Sequence, residues 1–180
     1  MLFQTFKKVS VVIIVIGLPG SGKSYFASRL ADMLGAEYIN SDQVRKKLLS
    51  KKTYSEKEKL SVYDAMLAKM KICLEQKKDI VLDATFYKRA IRSKFLDALK
   101  GKVESAIIEV KATVPLTRER LKMQRADSDA DFEVYETIKK QWEPLADKHL
   151  ILRSTNDNIT DMLQKASDYL KFKDDKRTSR

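Results

Sequence analysis

The stretch Gly17-Leu18-Pro19-Gly20-Ser21-Gly22-Lys23-Ser24 decides the fold. It satisfies G-x-x-x-x-G-K-[ST], the pattern of a phosphate-binding P-loop. The apolar run before it, Val9 to Ile16, reads as one buried strand; Ser24 to Leu34 reads as a helix closed by Gly35. Strand, loop and helix in that order are the context that gives the motif meaning, and a plain glycine turn is the alternative. Glycines let several backbone N–H groups point into one concavity, and the following helix adds its orphan N–H groups and positive dipole end. In such a loop Lys23 reaches the β- and γ-phosphates and the Ser24 hydroxyl ligates Mg²⁺, with Tyr25 completing the nucleotide-binding segment. The chain is therefore expected to hold a nucleoside triphosphate, and the open question is what receives the phosphate.

The bulk properties bound that question. At 180 residues, 43% apolar and 34% charged, the chain suits one soluble domain large enough to bury most of its unfolded surface. The expected domain is 1–172, followed by a charged tail, 173–180, that frays. One cysteine, Cys73, allows no internal disulfide and suits a reducing cytoplasm; it reads as a small buried hydrophobe. The lone His149, with no Cys or His cluster, argues against zinc. Lys7-Lys8 before Val9–Leu18 has the outline of a signal peptide, but the run is β-branched, and cleavage after it would destroy the loop. A cytoplasmic protein is expected. The formal charge of +11 attracts polyanions. The lysines are scattered, however, with no arginine–aromatic stripe, so anionic substrates such as ATP account for the charge better than nucleic acid does.

Beyond the first helix, strands and helices alternate. Ala36–Asn40 reads as a strand, Ser41–Leu49 as a helix, and Ser50–Ser55 as a polar loop. A long helix, Glu56–Gln76, carries the seam Leu60, Tyr63, Leu67, Met70 and Leu74, read as core packing rather than a dimer interface. Then come a strand, Asp79–Asp83, a helix, Lys88–Leu99, and a strand, Val103–Lys111. Pro115 opens the next helix. Arg125–Asp131 is a polar turn, and the helix carrying Val134, Tyr135, Ile138, Trp142 and Leu145 bends or ends at Pro144. His149–Leu152 is the last strand and Ile159–Leu170 the last helix. Five alternations predict an α/β fold, a parallel sheet with helices on both faces and ligands at the carboxyl ends of the strands.

Several chemistry-bearing residues fall at those ends. Asp83 closes an apolar strand and fits a Mg²⁺-holding acid, against the alternative of an aspartate that opens a turn. Asp42 and Arg45 stand three apart at a helix start and share a face. A carboxylate there can take the proton of an attacking hydroxyl and an arginine can fix an anionic acceptor. Alternatively, Asp42 or Ser41 only caps the helix. Arg118, Arg120 and Arg125 gather near the polar turn, where arginines stabilise charge on a transferring phosphoryl group and a flap excludes water. Arg125 is the first choice and Arg120 the second, against a solvated helix face. Ser128 with Asp131 fits a capping box, although Asp129 is placed to contact an acceptor.

The segments GLPGSGKSYFASRLADMLGAEYINSDQVRKKL, IVLDATFYKRAIRSKF and RERLKMQRADSDADFEVYETIKKQWEPL together resemble the bacterial P-loop kinases (AAA-type ATP-binding proteins) of the zeta-toxin and polynucleotide-kinase type. The resemblance spans Val11 to Leu152. It implies a three-layer, adenylate-kinase-like P-loop fold with strand order 2-3-1-4-5, a short arginine-bearing flap, ATP as donor and Mg²⁺ as cofactor. Carried over from polynucleotide 5′-kinases, the Asp of a similar Asp-x-x-Arg segment makes Asp42 the general base and Arg45 an acceptor-site residue. The flap arginine corresponds to Arg125 or Arg120. Asp83-Ala84-Thr85 resembles the Asp-Thr-Asn of phage polynucleotide kinases but lacks the Asn. The expected function is transfer of the ATP γ-phosphate to a hydroxyl of a small molecule, a nucleotide sugar or a polynucleotide 5′-end. A regulatory NTPase without acceptor chemistry is the alternative.

Overall fold

A computed structural model describes residues 10–49, 55–123, 130–146 and 148–178. Its centre is β1 (Val11–Ile16), six β-branched residues almost wholly buried. Around it lie β2 (Glu37–Asn40), β3 (Ile80–Asp83), β4 (Glu104–Lys111) and β5 (Leu150–Arg153), all parallel, in the order β2-β3-β1-β4-β5. Ile14 stands opposite Leu82 on one side and Ile107 on the other. A strand covered on both faces has no polar side, which is why β1 reads as a continuous apolar run.

Its side chains divide by parity between two cores. Val12, Ile14 and Ile16 enter a core shared with α3 (Glu56–Glu75) and α4 (Arg89–Leu99). Ile13 and Val15 face α1 (Lys23–Leu34) and α7 (Ile159–Thr178). The first core holds a ring cluster, with Phe86 and Phe95 edge to face at 5.1 Å and Tyr63 at 6.4 Å from Phe95. Phe95 is fully buried. Phe95→Ala is expected to cost ~3–5 kcal/mol, read from the shift in urea midpoint at unchanged slope.

The remaining helices are α2 (Ser41–Leu48), α5 (Val114–Lys122) and α6 (Phe132–Lys140). The chain leaves β1 toward β2 and β3 on one side and reaches β4 and β5 on the other. The strand order thus reverses at β1, and a crevice opens beyond its carboxyl end. Among the described residues no helix is long and apolar enough to cross a membrane.

Three expectations need correcting. The seam expected on α3 fails at its first residue, since Leu60 is 53% exposed, while Leu74 packs on the core and Val62, Met66 and Cys73 are buried beside Tyr63, Leu67 and Met70. A strict 3.5-residue stripe drifts around a 3.6-residue helix by ~20° per heptad, so it cannot track one core face for 20 residues. The helix carrying Tyr135 and Ile138 stops at Lys140, before Trp142 and Pro144. Pro144 would clash with the Lys140 carbonyl and disfavours helical backbone at Glu143. The Glu143 N–H instead donates to the Tyr87 carbonyl (2.9 Å), while Trp142 and Leu145 pack on the core as extended chain. Finally, α7 runs to Thr178, past its expected end at Leu170, in keeping with the helix propensity of its Lys- and Arg-rich end. The expected loop 50–55 lies outside the described residues except for Ser55, which caps α3. Cys73 is buried as expected, and burial pushes its thiol pKa up.

Candidate active site

The loop between β1 and α1 is shaped by contacts that leave no room for side chains. Gly22 has φ +88° and caps α1 without any side-chain hydrogen bond, so the first-turn N–H groups have no side-chain acceptor. A Cβ at Gly22 would lie 2.7 Å from Ser154 Oγ and 3.0 Å from Arg120 Nη1. Gly20, at φ +76°, is pressed by Thr117 and Leu121 of α5. The turn and the wall behind it are both glycine-specific, and the helix end is left open to an anion. Gly22→Ala is expected to weaken ATP binding about 5- to 150-fold, the equivalent of ~1–3 kcal/mol of backbone strain, measured by nucleotide titration.

Two of the cavities at this loop share Lys23 and Ser24 in their linings. The larger, about 490 Å³, lies between α1, α5, α7 and the segment following β5. Arg120 forms one wall, with Nη1 donating to Ser154 Oγ (3.0 Å) and Nη2 to the Thr155 carbonyl (2.7 Å). Its Nε and Nη2 both reach Asn156 Oδ1, at 3.3 and 3.2 Å. All three guanidinium nitrogens are therefore bonded to the turn after β5, and burial lowers the pKa of the group. Tyr25 is exposed at the rim, with the Arg29 guanidinium 4.0 Å above its ring. The Asn-rich turn 154–158 was missed from sequence. Its signal was a polar cluster directly after a strand, where α/β sheets bind ligands.

The smaller cavity, about 140 Å³, lies on the β2–β3 side and contains Asp42 and Arg45. The alternative role for Asp42 falls away, because the cap of α2 is Asn40, whose Oδ1 accepts from the Gln43 N–H at 2.9 Å. Asp42 is thus released into the cavity. Its Oδ1 accepts from Arg45 Nη1 at 2.7 Å, and its Oδ2 has no hydrogen-bond partner among the described residues. Arg45 also gives its Nε to Glu58 Oε1 at 3.1 Å, and Glu58 is buried. Lys59, Tyr63, Thr85 and Tyr87 complete this side and, like Glu58, were not foreseen as site residues. Lys59 and Lys88 hold the Glu56 carboxyl down to about 2.

Asp83 sits behind the loop, completely buried. Its Oδ2 accepts from Tyr38 Oη and Asn40 Nδ2, both at 2.6 Å, while its Oδ1 is buried without a partner among the described residues. Burial and the adjacent Asp83 charge push the Tyr38 pKa far above its ordinary value, so the phenol stays a donor. Tyr38 Oη also lies 3.5 Å from the Ser24 carbonyl, which ties Asp83 to the start of α1. A buried carboxylate oxygen without a donor is costly unless a cation or water meets it. The orphaned Oδ1 is the kind of hard oxygen that a divalent cation takes.

Of the expected arginine cluster, Arg118 and Arg120 fall among the described residues. Arg118 is exposed, stacked over the Phe132 ring at 4.1 Å, and belongs to neither cavity. Arg125, Ser128 and Asp129 lie outside the described residues. The capping box is not formed as expected, because Asp131 is itself the cap of α6 and accepts from the Val134 N–H at 2.9 Å.

Comparison with known proteins bears on the family and the fold. Residues 12–145 match the family described as AAA domain. Uncharacterised proteins of Mycobacterium tuberculosis and Mycobacterium bovis are 30% identical over 132 residues, 66% of this chain. The chain spans about a quarter of the length of these curated relatives, 26%. The APS kinase of Mycobacterium tuberculosis, solved with AMPPNP and APS, superposes with a TM-score of 0.72 at 14% identity, covering 91% of this chain and 98% of that one. A sugar kinase from Janibacter gives 0.70 at 13% identity, covering 91% and 95%. A gluconokinase from Sinorhizobium meliloti gives 0.65 at 17%, covering 92% and 98%. At these identities the likeness establishes the fold, a five-stranded parallel sheet of order 2-3-1-4-5 shared with P-loop kinases.

Proposed function

The chain belongs to the AAA domain family, and from that premise we propose that it transfers the γ-phosphate of ATP to a hydroxyl acceptor. One observation carries this reading. A carboxylate freed from capping, Asp42, occupies a second cavity that meets the nucleotide cavity at Lys23 and Ser24. A nucleotide switch has no need of that second compartment.

Asp42 takes the proton of the acceptor hydroxyl as its oxygen bonds to the γ-phosphorus. The bond from that phosphorus to the β–γ bridging oxygen breaks, and ADP leaves with its electron pair. Lys23 neutralises charge on the phosphoryl oxygens. Arg45 holds Asp42 by Oδ1 and leaves Oδ2 for the acceptor. Arg120 shifts from an expected transfer role to a positioning one, as a wall for the nucleoside end. Ser24 and Asp83 would hold Mg²⁺, which when bound supplies charge neutralisation between the β- and γ-phosphates. The finer relationship to zeta-toxin and polynucleotide-kinase enzymes, and a cytoplasmic setting where ATP is abundant, are parts of the same proposal.

The test is incubation with γ-labelled ATP and Mg²⁺ over small polyols, nucleotide sugars and 5′-hydroxyl oligonucleotides. Label on an acceptor supports transfer. Label released only as inorganic phosphate, at a rate no acceptor changes, would replace it with the regulatory NTPase reading.

A further inference from the structure

A third cavity, of about 340 Å³, lies at the carboxyl ends of β4 and β5, where α/β sheets bind ligands. The phosphate loop borders it through Leu18 and Ser21, whereas Pro19 between them lines the smaller cavity. Helix α6 separates these two compartments. Val134 and Ile138 line the smaller one, and Tyr135 and Lys139 line the third. Residues four apart on a helix share a face and successive residues do not, so α6 is a partition with a different compartment on each side.

The chemistry of its walls is that of an anion site. Lys111 and Arg153 close β4 and β5, stand in register, and both line the cavity. Neighbouring strands lie ~4.8 Å apart, so like charges side by side at that spacing repel, and an anion between them relieves the repulsion. Lys139 adds a third cation from α6. Against them stands the buried Glu109, whose Oε2 lies 3.0 Å from Lys111 Nζ and 3.2 Å from His149 Nε2. Arg153 and Lys139 form no ion pair among the described residues, so the positive charge of the cavity rests on these two without Lys111. An orphaned hydroxyl points the same way. Ser21 is 2% exposed, lines the cavity, and its Oγ has no hydrogen-bond partner among the described residues. A buried hydroxyl without a partner is costly unless a ligand or water meets it. Trp142 and Tyr135 add an aromatic wall.

We propose that this cavity binds a small phosphate monoester, its phosphoryl oxygens taken by Arg153, Lys139 and the Ser21 hydroxyl and its carbon portion packed on Trp142. A monoester carries a charge of about −1.5 to −2 near neutrality, which matches the two cations that have no carboxylate; a carboxylate ligand brings one charge only. The planar guanidinium of Arg153 can take two phosphoryl oxygens at once. The volume falls within the range of small-molecule sites and admits a sugar phosphate. None of these residues lines the nucleotide cavity or the acceptor cavity, so the site stands independently of the phosphotransferase reading.

The experiment saturates the full chain with a nonhydrolysable ATP analogue, so that the phosphate loop is filled, and titrates glycerol 3-phosphate, glucose 6-phosphate and phenyl phosphate. Glycerol, glucose and phenol are the uncharged controls. Binding is read by calorimetry and by the fluorescence of Trp142, the only tryptophan of the sequence. The expected result is saturable binding of at least one monoester, with an affinity about tenfold or more above that of its parent alcohol. Arg153 is exposed, so Arg153→Ala keeps the fold, and it is expected to weaken binding about tenfold or more. Ser21→Ala is expected to weaken it about two- to tenfold. Lys59→Ala, in the acceptor cavity, is expected to leave it unchanged. No saturable binding of any of the three, equal binding of the parents, or unchanged affinity in Arg153→Ala overturns the inference. Weakening by Lys59→Ala with Arg153→Ala unaffected also overturns it, by placing the monoester in the acceptor cavity.

Discussion

Lys23→Ala is expected to lower phosphoryl transfer by about 10²–10³-fold, the usual loss when one preorganised donor to developing charge is removed. The fold should survive, for a reason specific to its position. Lys23 is the first residue of α1, a helix with no acidic residue in its first turn. A cation there opposes the helix dipole, so its removal should leave the melting temperature unchanged or raise it by the equivalent of ~0.3–1 kcal/mol. The lysine is electrostatically misplaced for folding and well placed for a bound phosphate. A stopped assay in γ-labelled ATP with a parallel thermal melt checks both halves. Undiminished turnover would remove Lys23 from the chemistry.

Asp42→Asn is expected to reduce kcat by about 10²–10⁴-fold, the range for a lost general base, with ATP affinity unchanged. The amide oxygen still accepts from Arg45, now 2.7 Å from Asp42 Oδ1, so the pair keeps its geometry. The α2 cap is untouched, because Asn40 supplies it. Any large loss of stability would therefore point to an unrecognised structural role, and wild-type turnover would end the base assignment. Isothermal titration with a nonhydrolysable ATP analogue separates binding from chemistry.

The two halves of the site were unequally legible. The loop 17–24 could be read because its function is carried by consecutive residues, whose glycines and lysine must stand at fixed spacing. The position of Asp83 at the end of a buried strand could be read because an apolar run closing on an acid is a local pattern. Asp42 was ambiguous, since a carboxylate at a helix start serves equally as cap or base. The Asn40 hydrogen bond to Gln43 removed the capping alternative. A sequence signal existed in Asn40 itself, which stands three residues before Gln43 and ranks among the preferred caps. Glu58, Lys59, Tyr63 and Tyr87 had no such signal. They occupy α3 and the segment after β3, and in one dimension they look like helix surface and core.

Sequence by itself determined the nucleotide end of this protein: a strand, a turn only glycines can make, and a helix with a lysine at its positive end. It also determined the layered architecture, because continuous β-branched runs alternating with amphipathic helices can be buried on both faces only in a parallel sheet. Tertiary structure decided what surrounds the proposed acceptor end. Whether Arg45 is available to an anion depends on Glu58, thirteen residues away on another helix. Whether Arg120 acts in transfer depends on Ser154, Thr155 and Asn156 at the far side of the sheet. A phosphate loop binds largely with its own backbone, so its chemistry is written locally. An acceptor site is a balance of charges from separate elements, and that balance exists only once the chain has folded.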